Sequence, residues 1–195
     1  MLPTTDHAIM RALGLRWKKP LGEKARAFKW APREDEIPRQ LKVMRDYLPE
    51  LFTGPRVHLL DVSCGAGVFL EIARYLMHNV HGTEHRCYVD FHADYLDSQG
   101  LGWTEHDSNV VPFPFKDASF DVVTCFAAFK QYRPENRAAI FAEFFRMARE
   151  TVVVRVNHGD FAERGEAAAI FDNPPECWLI EHCDHITWKY MRRDS

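Results

Sequence analysis

The chain has 195 residues, 46% of them apolar and 27% charged, with a formal net charge of −3, the profile of one globular domain with enough chain for a full core. No apolar run approaches the length of a membrane span, and the N-terminus lacks the continuous apolar stretch of a secretory signal, so a soluble, cytoplasmic protein without membrane partners is expected. Five cysteines, odd in number and without a Cys-x-x-Cys pair, read as reduced thiols and exclude a disulfide framework.

Charge is unevenly placed. The first 45 residues hold 11 Lys/Arg against 5 Asp/Glu. That excess reads as a solvated face on N-terminal helices or, alternatively, as attraction to an anionic partner such as RNA. No aromatic-glycine RNA motif accompanies it, so nucleic acid is the less favoured partner. Asp6 is placed to cap a short helix through Leu13 that stops at Gly14. Phe28-Lys29-Trp30 is an aromatic segment ahead of a break at Pro32. Ile37, Leu41, Met44 and Leu48 then recur at helical spacing, which predicts a helix over 36–48 ending at Pro49.

Val57-His58-Leu59-Leu60 has the length and branching of a buried parallel strand. It meets Asp61, then the tight turn Ser63-Cys64-Gly65-Ala66-Gly67, then a helix through Val68, Phe69, Ile72, Ala73 and Leu76. Strand, glycine turn and helix build a ligand crevice beyond the carboxyl end of an open α/β sheet. A dinucleotide fingerprint would place its third glycine where Leu70 stands, and a P-loop would need Gly-Lys-Ser/Thr after the turn. Neither is present.

Asn79-Val80-His81-Gly82-Thr83-Glu84 is a second strand ending on an acid. Glu84 falls 17 residues past Gly67, where such folds place the carboxylate that accepts hydrogen bonds from ribose hydroxyls. Residues 102–108 alternate as a third strand that closes on Asp107-Ser108. Two prolines, Pro112 and Pro114, stiffen the loop into a fourth strand through Val122 and Val123, whose carboxyl end is Cys125-Phe126-Ala127. Lys130-Gln131-Tyr132-Arg133 is a loop and Pro134 starts a helix over 135–149 with Ile140, Phe141, Phe144, Phe145 and Ala148 as its core face. A fifth strand over 151–157, a helix over 160–170 and two strands within 177–192, joined by a turn near Asp184, complete the chain. His182 and His185 are three apart on a strand and face opposite ways, so no metal site is expected.

Asp61-Val62-Ser63-Cys64-Gly65-Ala66-Gly67 is similar to the first motif of class I S-adenosylmethionine-dependent methyltransferases, Asp-x-Gly-x-Gly-x-Gly, with Ser63 at the first glycine. Serine suits that place provided the backbone there avoids positive φ. Val110-Val111-Pro112-Phe113-Pro114-Phe115 leading to Ser119-Phe120-Asp121-Val122-Val123 also resembles the family's approach to its fourth strand. The resemblance covers roughly residues 55–157.

It implies a Rossmann-like α/β fold: a seven-stranded, mostly parallel sheet with helices on both faces and the last strand antiparallel. Residues 1–50 would form an N-terminal helical lid and 51–195 the cofactor-binding domain of a single compact unit. The implied cofactor is S-adenosylmethionine, with S-adenosylhomocysteine as product. Asp61, Ser63, Cys64, Gly65 and Gly67 would form its turn, Glu84 would hold the ribose, and Asp107, Ser108 or Asn109 would meet the adenine. Phe126 would flank it. Trp30, Lys130 and Gln131 are the expected substrate contacts. A hydroxyl acceptor would need a base, for which His158 and Tyr132 are the candidates; an amine or thiolate would need none.

Room for the core and a lid, but for no appended recognition domain, favours a small-molecule acceptor. An RNA or protein methyltransferase, a non-catalytic module of the same fold and, more distantly, a nicotinamide dehydrogenase are the alternatives. The oligomeric state is open.

Overall fold

The computed structural model describes residues 5–17, 36–85, 96–97, 99–156, 161–184 and 186–193. The first part of the chain forms α1 (Asp6–Trp17), α2 (Glu36–Tyr47), the single turn α3 (Glu50–Thr53), β1 (His58–Val62) and α4 (Val68–Tyr75). Then come β2 (Asn79–Glu84), β3 (Gly102–Glu105), β4 (Phe120–Phe126) and two 3-10 turns at Phe129–Gln131 and Pro134–Asn136. The remainder is α5 (Arg137–Met147), β5 (Ala148–Arg155), α6 (Phe161–Phe171), β6 (Trp178–Cys183) and β7 (Thr187–Arg192).

The strands make one seven-stranded sheet in the order β3-β2-β1-β4-β5-β7-β6. The pairs from β3 through to β5 are parallel, and β7 lies antiparallel between β5 and β6. The architecture expected from the sequence is the one observed. Strand order reverses between β1 and β4, so the carboxyl ends of those two strands flank a topological switch point, where open sheets of this kind bind ligands.

Alternation along the strands divides the core in two. Leu59, Val122 and Val153 face α1, α2 and α4, whereas Leu60, Val123, Val152 and Val154 face α5 and α6. The second layer is aromatic: Phe141 stands 4.5 Å from both Phe145 and Phe171 between ring centroids, and Tyr190 donates its hydroxyl to Phe171 O at 2.6 Å. On the other side Ile37, Leu41 and Met44 of α2 are buried in one cluster with Phe69 and Ile72 of α4. The described N-terminal helices therefore share the core of the sheet domain. No helix among the described residues is long and apolar enough to cross a membrane.

Several boundaries differ from expectation: α1 runs through Gly14 to Trp17, and β3 ends at Glu105. The helix predicted over 135–149 opens with a 3-10 turn and ends at Met147, and β5 starts on the next residue. Ala148 makes both ends meet. Its N–H closes the last helical bond to Phe144 O, its ψ swings to 142°, and its backbone pairs with Phe120. No linker is needed.

The proline loop is pinned to α5: Phe113 N donates to Glu143 Oε2 at 2.7 Å, and Arg146 donates to Phe115 O at 2.8 Å. At the opposite, amino edge of the sheet Asp121 accepts from His58 N (2.7 Å) and Arg149 Nη1 (2.9 Å). It ties β1, β4 and β5 together away from the crevice.

Phe144 is 2% exposed and packs on Phe113 and Phe141. Phe144→Ala should cost about 3–5 kcal/mol, which for a chain of this size lowers the melting temperature by roughly 6–20 °C. Calorimetry checks this, and a smaller drop would mean that the aromatic layer repacks.

Candidate functional site

The site is built where β1, β2, β3 and β4 end. Asp61, next to last in β1, is 4% exposed, and its Oδ1 accepts the Thr124 hydroxyl of β4 at 2.8 Å. Burial pushes its carboxyl up to about 7; the Thr124 hydrogen bond opposes that rise and the nearby Glu84 charge adds to it. Glu84, the last residue of β2, is 3% exposed. Its Oε1 accepts from His85 N at 2.8 Å and its Oε2 from Gly65 N at 2.5 Å. Burial raises Glu84 as well, against those two backbone donors.

The turn after β1 folds back over β2 to make that contact. Cys64 N donates to Thr83 O (2.9 Å), Ser63 N to Thr83 Oγ1 (3.2 Å) and Gly67 N to Cys64 O (3.0 Å). Gly67, at φ +74°, leads into α4. Gly82, in register with Asp61, lets the turn come down: a Cβ there would sit 2.6 Å from Cys64 Sγ and 2.8 Å from Leu70 Cδ1.

Ser63 departs from the expected backbone. Its φ is +58°, so the position does require the left-handed conformation that was expected to exclude serine. The cost is on the order of 1–2 kcal/mol for a non-glycine residue. Local hydrogen bonds hold it there: besides its N–H on Thr83, its Oγ lies 3.2 Å from both Ser108 Oγ and Tyr132 Oη.

After β3, Asp107 accepts from Asn109 N (2.9 Å) and Asn109 Nδ2 (3.2 Å), and its Oδ2 stands 3.5 Å from His85 Nε2. Partial burial works against its charge, but Asn109, His85 and Arg133 outweigh it and hold the carboxyl below its usual range. Ser108 is buried beside Ser63.

Asp61, Ser63, Cys64, Gly65, Gly67, Glu84, Asp107 and Ser108 thus come together on one edge. Phe126, half-buried at the end of β4, packs edge-on against Phe69 of α4 at 5.0 Å. Lys130 and Gln131 are exposed on the 3-10 turn after β4. Tyr132, expected as a candidate base, is 5% exposed and turned inward. Trp30 and His158 lie outside the described residues. Asp184 closes the β6–β7 turn through Ile186 N and Thr187 N, both at 2.7 Å.

Gly82, Thr83 and Thr124 are site residues that the sequence reading missed. A glycine inside a strand is a signal of close backbone approach. Threonine in a strand carries no such signal, because it is also an ordinary strand former.

The described residues fit an adenosyl cofactor. Each Glu84 oxygen engages one backbone donor, and a carboxylate has about four acceptor positions, which leaves capacity for a diol. Gly65, at φ +55°, borders open space: a Cβ there would meet nothing within 4 Å. Residues 60–155 match the family model of the methyltransferase domain. The domain they form is that of an S-adenosylmethionine-dependent methyltransferase, similar to the class I enzymes.

Solved structures agree in fold. This methyltransferase is similar to a Pyrococcus horikoshii protein, with 14% identity, 89% of this chain and 99% of that one covered, and a TM-score of 0.64. It is similar to a methyltransferase dependent on the same cofactor from Aquifex aeolicus, with 14% identity, coverage of 78% and 88%, and a TM-score of 0.55. Magnesium protoporphyrin IX methyltransferase from Synechocystis, solved with S-adenosylhomocysteine bound, shares 12% identity over 80% and 84% of the two chains, with a TM-score of 0.57. A sequence search among curated proteins finds no match.

The raised Asp61 carboxyl makes a pH prediction. Its folded-state value lies above its unfolded one, so its favourable contribution to the cofactor-free fold is full below about 4 and is lost as pH rises through about 7. Asp61→Asn removes that dependence. Its melting temperature without cofactor should match or exceed that of the wild type at pH 8, with a flatter difference below pH 4. Thermal scans across this range test it, and a mutant destabilised most at pH 8 would refute it.

Proposed function

We propose that this methyltransferase transfers the methyl group of S-adenosylmethionine to a small-molecule acceptor. The observation that carries the acceptor class is the state of the basic charge on α2. Arg39 pairs with Glu36 (3.4 Å), Lys42 with Asp46 (2.6 Å) and Arg45 with Asp6 (2.9 Å). These cations are matched by acids of the same helical layer, which is an ion-paired solvated face. A nucleic-acid surface would present such charges to phosphates. The Synechocystis neighbour, whose name gives magnesium protoporphyrin IX as what it methylates, supports the same reading.

When bound, the cofactor supplies an activated methyl group on a sulfonium, and the chain supplies binding, alignment and exclusion of water. In this reading Glu84 accepts the ribose hydroxyls and Asp107 and Ser108 meet the adenine edge. Asp61 sets the polarity beneath the turn with Ser63, Cys64, Gly65 and Gly67. Lys130 and Gln131, outward on the turn after β4, orient the acceptor together with Trp30, and the helices within residues 1–50 wall the acceptor side. His158, two residues beyond Val156, is the proposed base for a hydroxyl acceptor. Tyr132 is not: burial lifts its hydroxyl well above the usual value, so it keeps its proton at neutral pH. Among the described residues Cys64, Cys125 and Cys177 are unpaired thiols, which fits a reducing cytoplasm.

S-adenosylhomocysteine at about a hundred times its dissociation constant adds roughly 2.7 kcal/mol, a rise of roughly 5–10 °C in melting temperature. Glu84→Gln places an amide against two backbone N–H donors and should weaken that binding roughly 10- to 100-fold. Labelled S-adenosylmethionine offered to small-metabolite, RNA and protein pools then separates the acceptor classes. Label retained only in RNA or protein would overturn the small-molecule assignment.

A further inference from the structure

A chain of polar side chains, buried at all members but the half-buried Ser63, crosses the carboxyl edge of the sheet. Cys125 Sγ, from β4, is 3.0 Å from Tyr132 Oη; Tyr132 Oη is 3.2 Å from Ser63 Oγ; Ser63 Oγ is 3.2 Å from Ser108 Oγ. Tyr132 is the link in this series that comes from the loop after β4, and it reaches the turn after β1 directly and the turn after β3 through Ser63. A second set of bonds runs alongside. Asn109 Oδ1 accepts from Arg133 N at 2.6 Å, Asn109 Nδ2 donates to Gln131 O at 3.3 Å, and Asn136 Nδ2 donates to Asn109 O at 2.9 Å. Below the loop, Phe129 packs edge-on against Phe171 with ring centroids 5.5 Å apart. Arg137 lies 4.3 Å over the Phe129 ring while donating to Tyr132 O at 3.2 Å. The loop is anchored on the aromatic layer and bonded to two cofactor turns.

We propose that Tyr132 is a positioning residue: its hydroxyl latches Ser63 in the left-handed conformation that aims the turn after β1 at the cofactor. The physical need is specific to this chain. Glycine takes positive φ without steric cost, whereas Ser63 at φ +58° is held by what its side chain and N–H can bond. The same loop carries Lys130 and Gln131 on its outer side, so the residue that fixes the cofactor turn sits within two positions of the proposed acceptor contacts. The latch rests on the cofactor site and is independent of which acceptor is used.

The test is a double-mutant cycle read by calorimetric titration of S-adenosylhomocysteine into the full chain. Tyr132→Phe keeps the ring and removes the hydroxyl; it should weaken binding roughly 3- to 10-fold. Ser63→Ala keeps the strained backbone and removes the partner, with the same expected loss. Ser63→Gly needs no latch, and in that background Tyr132→Phe should change affinity less than about twofold. Equal losses from Tyr132→Phe in the wild-type and Ser63→Gly backgrounds would overturn the proposal. So would a lower melting temperature of the cofactor-free Tyr132→Phe protein with wild-type affinity, the mark of a packing role alone. If Tyr132→Phe fails to fold, Ser63→Ala breaks the same contact from its other end, and unchanged affinity there is equally fatal. A wild-type chain that binds no S-adenosylhomocysteine overturns the cofactor site and the latch with it, an outcome distinct from lost coupling.

Discussion

A carboxylate buried at the end of a parallel strand needs hydrogen-bond donors, and Glu84 finds them in the backbone N–H groups of His85 and Gly65. The first is local. The second obliges the turn after β1 to double back across β2, and much of the edge follows from that reach. The backbone adopts positive φ at Ser63, Gly65 and Gly67. Cys64 presses on Gly82, where no side chain could stand. Thr83, fully buried, receives two N–H groups of the turn. The glycine turn is thus shaped from below by the strand it overlies, as much as by its own residues.

The same arrangement places two buried acids close together. Burial raises both Asp61 and Glu84, and the Glu84 charge raises Asp61 further. Their ionised forms weaken the cofactor-free fold, a common relation between binding sites and stability. What offsets this lies on the other side of the sheet. Phe141, Phe145, Phe171, Trp188 and Tyr190 form a dense layer with edge-on and tilted ring contacts near 5 Å. That layer packs in one cluster with Val123 and Cys125 of β4 and Val152 and Val154 of β5.

How much of this was legible in the sequence depended on the kind of element. Parallel strands covered on both faces read as apolar runs, so β1, β4 and β5 could be placed, and with them the sheet and the acids that end its strands. β3 ends at Glu105, short of the expected Asp107-Ser108, whereas the place of Glu84 at the end of β2 was legible because the strand's period fixes where it stops. The continuous passage from α5 into β5 at Ala148 was not, since a helix and a strand that share no linker leave no turn residue to mark the boundary. Nor was the conformation of Ser63: sequence shows a small residue in a glycine position, but φ is decided by where the turn must go. Tyr132 was read as a candidate base in the loop Lys130-Gln131-Tyr132-Arg133, whose sequence carries no mark of burial. In an irregular loop no period says which side chain points inward.

Ser63 shows what a departure from a glycine-rich pattern can add. Glycine would take the left-handed backbone with no strain and no side chain. Serine accepts the strain, and its hydroxyl then joins Tyr132 and Ser108. The turn that a glycine would leave to its backbone alone becomes bonded to the loops after β3 and β4. Those loops are themselves joined through Asn109. The ends of β1, β3 and β4 are therefore joined by side-chain hydrogen bonds. The side chain that makes this link, Tyr132, is the inward neighbour of the exposed Lys130 and Gln131. The loop after β4 reaches the turn after β1 through the Tyr132 hydroxyl, so the geometry of that loop bears on the conformation of Ser63.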